Sequence, residues 1–318
     1  MIPAARITHA SVRSNRTQRV LPRRIALFIT LLCFIFPLSC SDSKAGGSEP
    51  LRVEKNWSLL IYVADEVESL DIHTGLVSTI VTSKTTSPGM ASFSPDATKI
   101  TFKERAEGGK DSLVVFDLRE GKKQLLLEMP FLDGPRWSPD GEGIAFSGRS
   151  ADSGAYDLYL YGLDNKKLAT LIQGKLKDGE MVFAWAPDGK HIVYQSSDNA
   201  IYDFDLAKGG NSRIDSGWFP TWSPSGEYIA YRADGLGDPG YIIYNLRTHA
   251  KQRILQGASA YRSLIWSPDS KLLVYAADGR GEFYGDLFVV DLKTKKSTRV
   301  LRFEQSVYPT DWRRRGDR

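Results

Sequence analysis

Four aspartates recur at one place in a repeated phrase, and repeated carboxylates are the first groups to weigh for acid–base or metal chemistry. They are Asp96, Asp140, Asp188 and Asp269, each following a proline. Paired carboxylates can act as general acid and base, and histidines near them can complete a metal site. The histidines here do not join in. Past residue 40 the chain holds only His73, His191 and His249, placed after an Asp step, beside a turn and in a polar turn. There is no Gly-x-Ser-x-Gly nucleophile elbow and no Gly-x-x-x-x-Gly-Lys-[Ser/Thr] phosphate loop. The loops Asp234-Gly235-Leu236-Gly237-Asp238 and Asp278-Gly279-Arg280-Gly281-Glu282 have the flavour of calcium loops but lack the remaining oxygen ligands. A turn explains the aspartates better: Pro presets φ, Gly takes the left-handed conformation, and Asp accepts hydrogen bonds from nearby amides. The sequence predicts no catalytic residue, no metal ligand and no cofactor.

The phrase holding those aspartates defines the architecture. It reads aromatic-Ser-Pro-Asp-Gly, a polar pair, then Ile-x-aromatic. Copies begin at Phe93, Trp137, Trp185, Trp222 and Trp266, with Ile100/Phe102, Ile144/Phe146, Ile192/Tyr194, Ile229/Tyr231 and Leu273/Tyr275 behind them. A second half, an apolar-Asp-apolar step, centres on Asp71, Asp117, Gly162, Asp205, Asn245 and Asp291. The repeat averages roughly 44 residues, the period of a four-stranded propeller blade. Each blade is read as an up-and-down antiparallel sheet whose Ile-x-aromatic pair shares one face. One blade cannot bury both faces, so neighbours stack around a ring. Strands around Leu59–Tyr62, Ser69–Ile72 and Val77–Val81 lack a preceding inner strand, while Tyr308-Pro309-Thr310-Asp311-Trp312 supplies one at the far end. The expectation is an all-β, six-bladed β-propeller over residues 56–313, closed by the C-terminal strand joining blade 1, with a basic tail at 314–318.

Differences between the copies point to a surface. Six residues before each motif proline stand Gly89, Asp133, Met181, Trp218 and Arg262, with Tyr308 at the matching place in the closing strand. Phe131, Phe219 and Tyr261 lie beside them. The long connections between second and third strands emerge on the same side. These residues form a candidate ring around the channel mouth that binds a partner, since Trp, Tyr and Arg dominate binding hot spots. Packing of the strand starts is the alternative reading of the same residues.

The first forty residues stand apart. Six arginines and no acid precede an apolar run from Ile25 to Leu38, which ends at Ser39-Cys40. This is a secretory leader by pattern, short for a membrane-spanning helix. Removing the leader arginines from the formal charge of +4 leaves 36 basic against 38 acidic residues, no footprint for nucleic acid. Residues 41–55 open with a Gly/Ser-rich stretch and read as a flexible tether. Pro37-Leu38-Ser39-Cys40 resembles a bacterial lipoprotein cleavage box, which implies lipid attachment at Cys40. Ordinary signal cleavage and an uncleaved anchor remain open alternatives. Ser41 after that cysteine resembles lipoproteins sent to the outer membrane of Gram-negative cells.

The linked positions Trp-Ser-Pro-Asp-Gly, Ile-Ala-Phe and Asp-Leu, as in Trp137–Gly141, Ile144–Phe146 and Asp117-Leu118, resemble the WD-like propeller repeat of the TolB family. The resemblance covers about Asn56 to Trp312. It implies a propeller face that docks an envelope protein or peptide. Together with the leader and Cys40, the expectation is a periplasm-facing, membrane-tethered monomer without enzymatic activity. The rival expectation is a carbohydrate-binding protein or small-substrate enzyme, of the lyase or hydrolase kind, using the channel mouth. Oligogalacturonate-lyase-like propellers share similar repeats.

Overall fold

The computed structural model describes residues 57–63, 66–71, 76–82, 90–105, 109–149, 155–178, 182–235, 238–256, 260–277, 286–302 and 307–314. The leader, Cys40, the tether, Gly89, His73 and Met181 lie outside the described residues. Every element among the described residues is a strand. Blade 1 holds β1 (Trp57–Val63), β2 (Glu66–Asp71) and β3 (Leu76–Thr82). Blade 2 is β4 (Ser92–Phe93), β5 (Lys99–Arg105), β6 (Asp111–Asp117) and β7 (Lys123–Met129). Blade 3 is β8 (Phe131–Trp137), β9 (Gly143–Arg149), β10 (Tyr156–Gly162) and β11 (Leu168–Leu176). Blade 4 is β12 (Phe183–Trp185), β13 (His191–Gln195), β14 (Ala200–Asp205) and β15 (Gly210–Ser216). Blade 5 is β16 (Trp218–Trp222), β17 (Tyr228–Gly235), β18 (Asp238–Asn245) and β19 (Lys251–Gln256). Blade 6 is β20 (Ala260–Trp266), β21 (Leu272–Ala277), β22 (Asp286–Asp291) and β23 (Ser297–Arg302), followed by β24 (Val307–Arg314).

The expected closure is present. β24 pairs antiparallel with β1, placing Trp312 opposite Leu59 and Tyr308 opposite Tyr62, and the blade 1 sheet runs β24-β1-β2-β3. The ring therefore has six four-stranded sheets and no open inner edge at blade 1, which removes a site for aggregation.

The turn chemistry follows the sequence argument. In blade 3, Ser138 Oγ donates to Asp140 Oδ1 at 2.5 Å, and the Glu142 amide donates to the same oxygen at 2.9 Å. Asp96, Asp188 and Asp269 make the matching contacts to Thr98, Lys190 and Lys271. These hydrogen bonds, led by that from Ser94, hold the Asp96 carboxyl below its ordinary value. The closing turn position has positive φ in each copy, Gly141 at 77° and Gly226 at 75°. A Cβ on Gly141 would sit 3.7 Å from Pro95 of the preceding blade, so successive turns also stack around the ring.

Between the blades lies the core. Ile100, Phe102, Ile144, Phe146, Ile192, Ile229, Tyr231 and Leu273 are fully buried. Each contributes about 1.5–3 kcal/mol of burial against the entropy of ordering. Clusters join adjacent sheets, as where Ala145 and Leu158 of blade 3 meet Phe183, Ile192 and Tyr194 of blade 4.

Candidate functional site

In blades 2 to 6 the inner strand runs from the rim side down to the proline turn of the repeat, and in blade 1 β24 runs the same way to Arg314. The hairpin between the first two strands decides which side chains meet at the rim. In blade 3, Phe131 faces Arg149 directly across β8 and β9. The Arg149 guanidinium lies 4.0 Å above the Phe131 ring and 5.6 Å from the Tyr156 ring. Its Nε is buried and has no hydrogen-bond partner among the described residues. A cation held over aromatic faces keeps its charge while giving up solvent, which strengthens its pull on an incoming anion or carbonyl.

Beside this sandwich Asp133 pairs with Lys103, which reaches over from β5 of blade 2. Burial pushes the Asp133 carboxyl above its ordinary value, and the Lys103 ammonium works against that rise. Tyr156 is pushed up by burial, with Arg149 opposing. Phe131 and Asp133, picked from sequence, thus stand with Lys103, Arg149 and Tyr156, which sequence reasoning missed. Counting outward from the turn would pair Phe131 with Ser150, and a register shift between Asp133 and Arg136 brings Arg149 opposite it instead, which the sequence pattern does not show.

Blade 5 carries a second aromatic–arginine pair, with Trp218 opposite Arg232 in the β16–β17 register. Next to it Phe219 has φ of 54°. A bulky residue at positive φ is an outlier costing on the order of 1–3 kcal/mol, and such strain concentrates at functional positions. The equivalent residue of blade 3 is Gly134, at φ 55°, where glycine adopts the conformation freely. The fold around Phe219 holds it there. Its amide donates to the buried Gln195 Oε1 at 3.3 Å, and its ring packs against the cluster containing Met90, Ile265 and Trp312.

The remaining ring positions divide. Tyr308 stacks on Tyr62 with centroids 6.2 Å apart and packs on the blade 1 and blade 6 core, a closure contact. Tyr261 and Arg262 lie on β20, but their side chains, like Met181, fall outside what is described. The rim therefore has one assembled cluster on blades 2 and 3 and a strained aromatic pair on blade 5.

Inside the ring a channel of about 570 Å³ is walled by the inner strands of all six blades. Two charges cross it. Arg136 Nη1 of blade 3 donates to the Thr310 carbonyl of β24 at 2.9 Å. Asp311 Oδ2 accepts from the Phe93 amide at 2.8 Å and from Ser92 Oγ at 3.3 Å, while Oδ1 accepts from the Trp312 amide at 2.8 Å. Burial raises the Asp311 carboxyl above its ordinary value, against Arg136 and these donors. These groups tie the closing strand to blades 2 and 3. Trp137, Trp185, Trp222 and Trp266 of the repeat line this channel, and their indole N–H groups are buried without partners among the described residues.

The two described histidines, His191 and His249, have separate partners. His191 contacts Asp203 at 3.0 Å and His249 contacts the Tyr244 hydroxyl at 2.5 Å. Among the described residues no three His, Cys, Asp or Glu side chains gather as a metal site would require.

Residues 66–218 match the family described as PD40, the TolB beta propeller domain. The chain is similar to the crystal structure of TolB from Acinetobacter baumannii, with TM-score 0.71 and 21% identity, covering 81% of this chain and 66% of that one. It is also similar to an oligogalacturonate lyase in complex with manganese, with TM-score 0.55 and 18% identity, covering 74% of each chain. An uncharacterized protein of Agrobacterium fabrum is 25% identical over 158 residues, which are 46% of this chain and 52% of that protein. The chain thus spans about half the length of that curated relative. Likeness to the solved structures establishes the fold.

Proposed function

Taking as premise that the chain carries a TolB-like β-propeller, we propose that it is an exported, non-enzymatic scaffold binding a protein or peptide at the bacterial envelope. A lipid on Cys40 holds it at the membrane, the outer membrane in a Gram-negative cell, and the rim does the binding. The observation that carries this reading is the blade 2–3 cluster, with Arg149 held over Phe131 and Tyr156 beside the Lys103–Asp133 pair. Aromatic and arginine anchors beside a paired charge have the anatomy of a binding hot spot. Arg149 supplies directional donors for a backbone carbonyl or a carboxylate, and the two rings supply apolar area. Trp218 on blade 5, held next to the strained Phe219, adds a second anchor across the mouth.

The rival reading, a glycan-binding protein or small-substrate enzyme, draws on the channel, whose volume falls in the range of ligand cavities. One experiment separates them. Arg149→Ala and Trp218→Ala chains are compared with the parent in affinity purification from envelope fractions, after melting curves confirm the fold. Loss of one specific protein by both folded variants supports docking. Its retention by both, or enrichment of glycans alone, refutes the reading.

A further inference from the structure

The two faces of the propeller differ in charge. Opposite the rim emerge the turns joining third and fourth strands, residues 117–123, 162–168, 205–211, 245–251 and 291–297 in blades 2 to 6. They hold eleven Lys or Arg and five Asp or Glu. All eleven cations are exposed. Three of the acids are folded back onto the turns. Asp117 Oδ1 accepts from the Arg119 and Glu120 amides at 2.8 and 2.9 Å, Asp205 Oδ1 from Ala207 and Lys208 at 3.0 Å, and Asp291 Oδ1 from Thr294 at 2.7 Å.

Some of the lysines are paired, Lys122 with Glu120, Lys208 with Asp205 and Lys251 with Asp215. Among the described residues Lys167, Arg247 and Lys293, on three separate blades, make no ion pair. The Ser-Pro-Asp turns nearer the axis are acidic, with three lysines against six acids at 95–99, 139–143, 187–191, 224–228 and 268–272. With Arg313 and Arg314 at the end of β24 and Asp71 at the end of β2, this face carries 16 cations and 12 anions. The rest of the chain beyond residue 40 carries 20 and 26. The excess positive charge is gathered at one end of a body that is negative elsewhere.

The first and last described strands end on the same face. Trp57, the first residue of β1, pairs with Arg314, the last of β24. Whatever precedes residue 57 joins the propeller here, on the side away from Phe131 and Trp218. Sixteen residues, 41 to 56, separate Cys40 from Trp57. Fully extended they reach about 55 Å. A leader or lipid in a bilayer therefore keeps that bilayer within reach of the basic turns.

We propose that this turn face docks on an anionic bilayer, its exposed lysines and arginines contacting headgroup phosphates, so that the rim points away from the membrane. The charge argument stands without Cys40, while the reach argument rests on the anchoring proposed above. Each Lys or Arg at an anionic surface adds to binding, within a Debye length of about 10 Å at 0.1 M salt.

The test uses the full chain carrying Cys40→Ala, sedimented with vesicles of phosphatidylcholine alone or with a third of the lipid as phosphatidylglycerol. Binding that needs phosphatidylglycerol and weakens with added salt is expected. Lys167→Glu/Arg247→Glu/Lys293→Glu in that chain should weaken it at least about ten-fold. Lys110→Glu/Lys175→Glu, on the opposite side, should leave it unchanged. Equal binding to neutral vesicles, no effect of the triple reversal at an unchanged melting temperature, or equal affinity for duplex DNA would overturn the proposal. Radiolabelled lipid on Cys40 of the parent chain is read separately, so failure here leaves the anchoring reading standing or falling by its own measurement.

Discussion

Asp311→Ala tests how the ring is held shut, because the carboxylate serves three donors on two blades. The Phe93 and Trp312 amides, each 2.8 Å from a carboxylate oxygen, would lose their acceptor, as would Ser92 Oγ at 3.3 Å. A buried donor left unmade costs about 1–3 kcal/mol, and part of that is offset by no longer holding a charge inside the channel. The net loss should be about 2–4 kcal/mol, or roughly 5–15 °C in Tm for a domain of this size. Burial raises the Asp311 carboxyl above 3.8, so the folded chain binds this proton more tightly than the unfolded one. Its contribution to stability is therefore greatest below the unfolded value and is lost as pH rises through the folded one. The gap between parent and variant should widen as pH is lowered from neutral. Urea denaturation across that range is the assay, with Asp117→Ala as reference. Asp117 also accepts two amides, but in solvent, where water replaces them. A loss no larger than that of Asp117→Ala, or a gap that narrows on acidification, would refute the reasoning.

Other consequences follow from single contacts. Gly217→Ala would place a Cβ 2.6 Å from the Arg232 carbonyl and 2.7 Å from Tyr231 Cδ2. It should cost about 2–3 kcal/mol by overpacking, whereas Gly210→Ala, which meets nothing within 4 Å, should stay within about 0.5 kcal/mol in the same denaturation assay. The Asp205 carboxyl is held at about 2 by hydrogen bonds from the Lys208 side chain and amide. NMR titration should show Lys208→Ala moving it up toward the ordinary range. Because the folded value is depressed, any stability this group contributes is present above the unfolded value of 3.8 and disappears as pH falls toward 2.

Much of the fold was legible because the repeat couples several physical requirements at once. Trp137-Ser138-Pro139-Asp140-Gly141 states a turn, and Ile144 with Phe146 states the buried face of the next strand. The half-repeat ending at Trp312 states the closure, and the observed pairing of Trp312 with Leu59 follows from it. The site was less legible. Phe131 and Asp133 could be picked as irregularities in the repeat, but Lys103 reaches them from another blade, and no strand period encodes which rotamer spans a seam. Arg136 escaped notice for the same reason, since its acceptor, Thr310, is 174 residues away in sequence. Phe219 reads as another aromatic until its backbone is seen in the conformation that blade 3 gives to Gly134.

The claim on which the functional account turns is that binding belongs to the rim. A photo-activated cross-linker placed in turn at Phe131, Trp218, Lys167 and Lys293, followed by irradiation of intact cells, measures this directly. The account predicts one protein adduct from Phe131 and Trp218, absent from Lys167 and Lys293, and lost from Phe131 when Arg149→Ala is added. Adducts of equal yield from both faces, or from the basic turns alone, would contradict it.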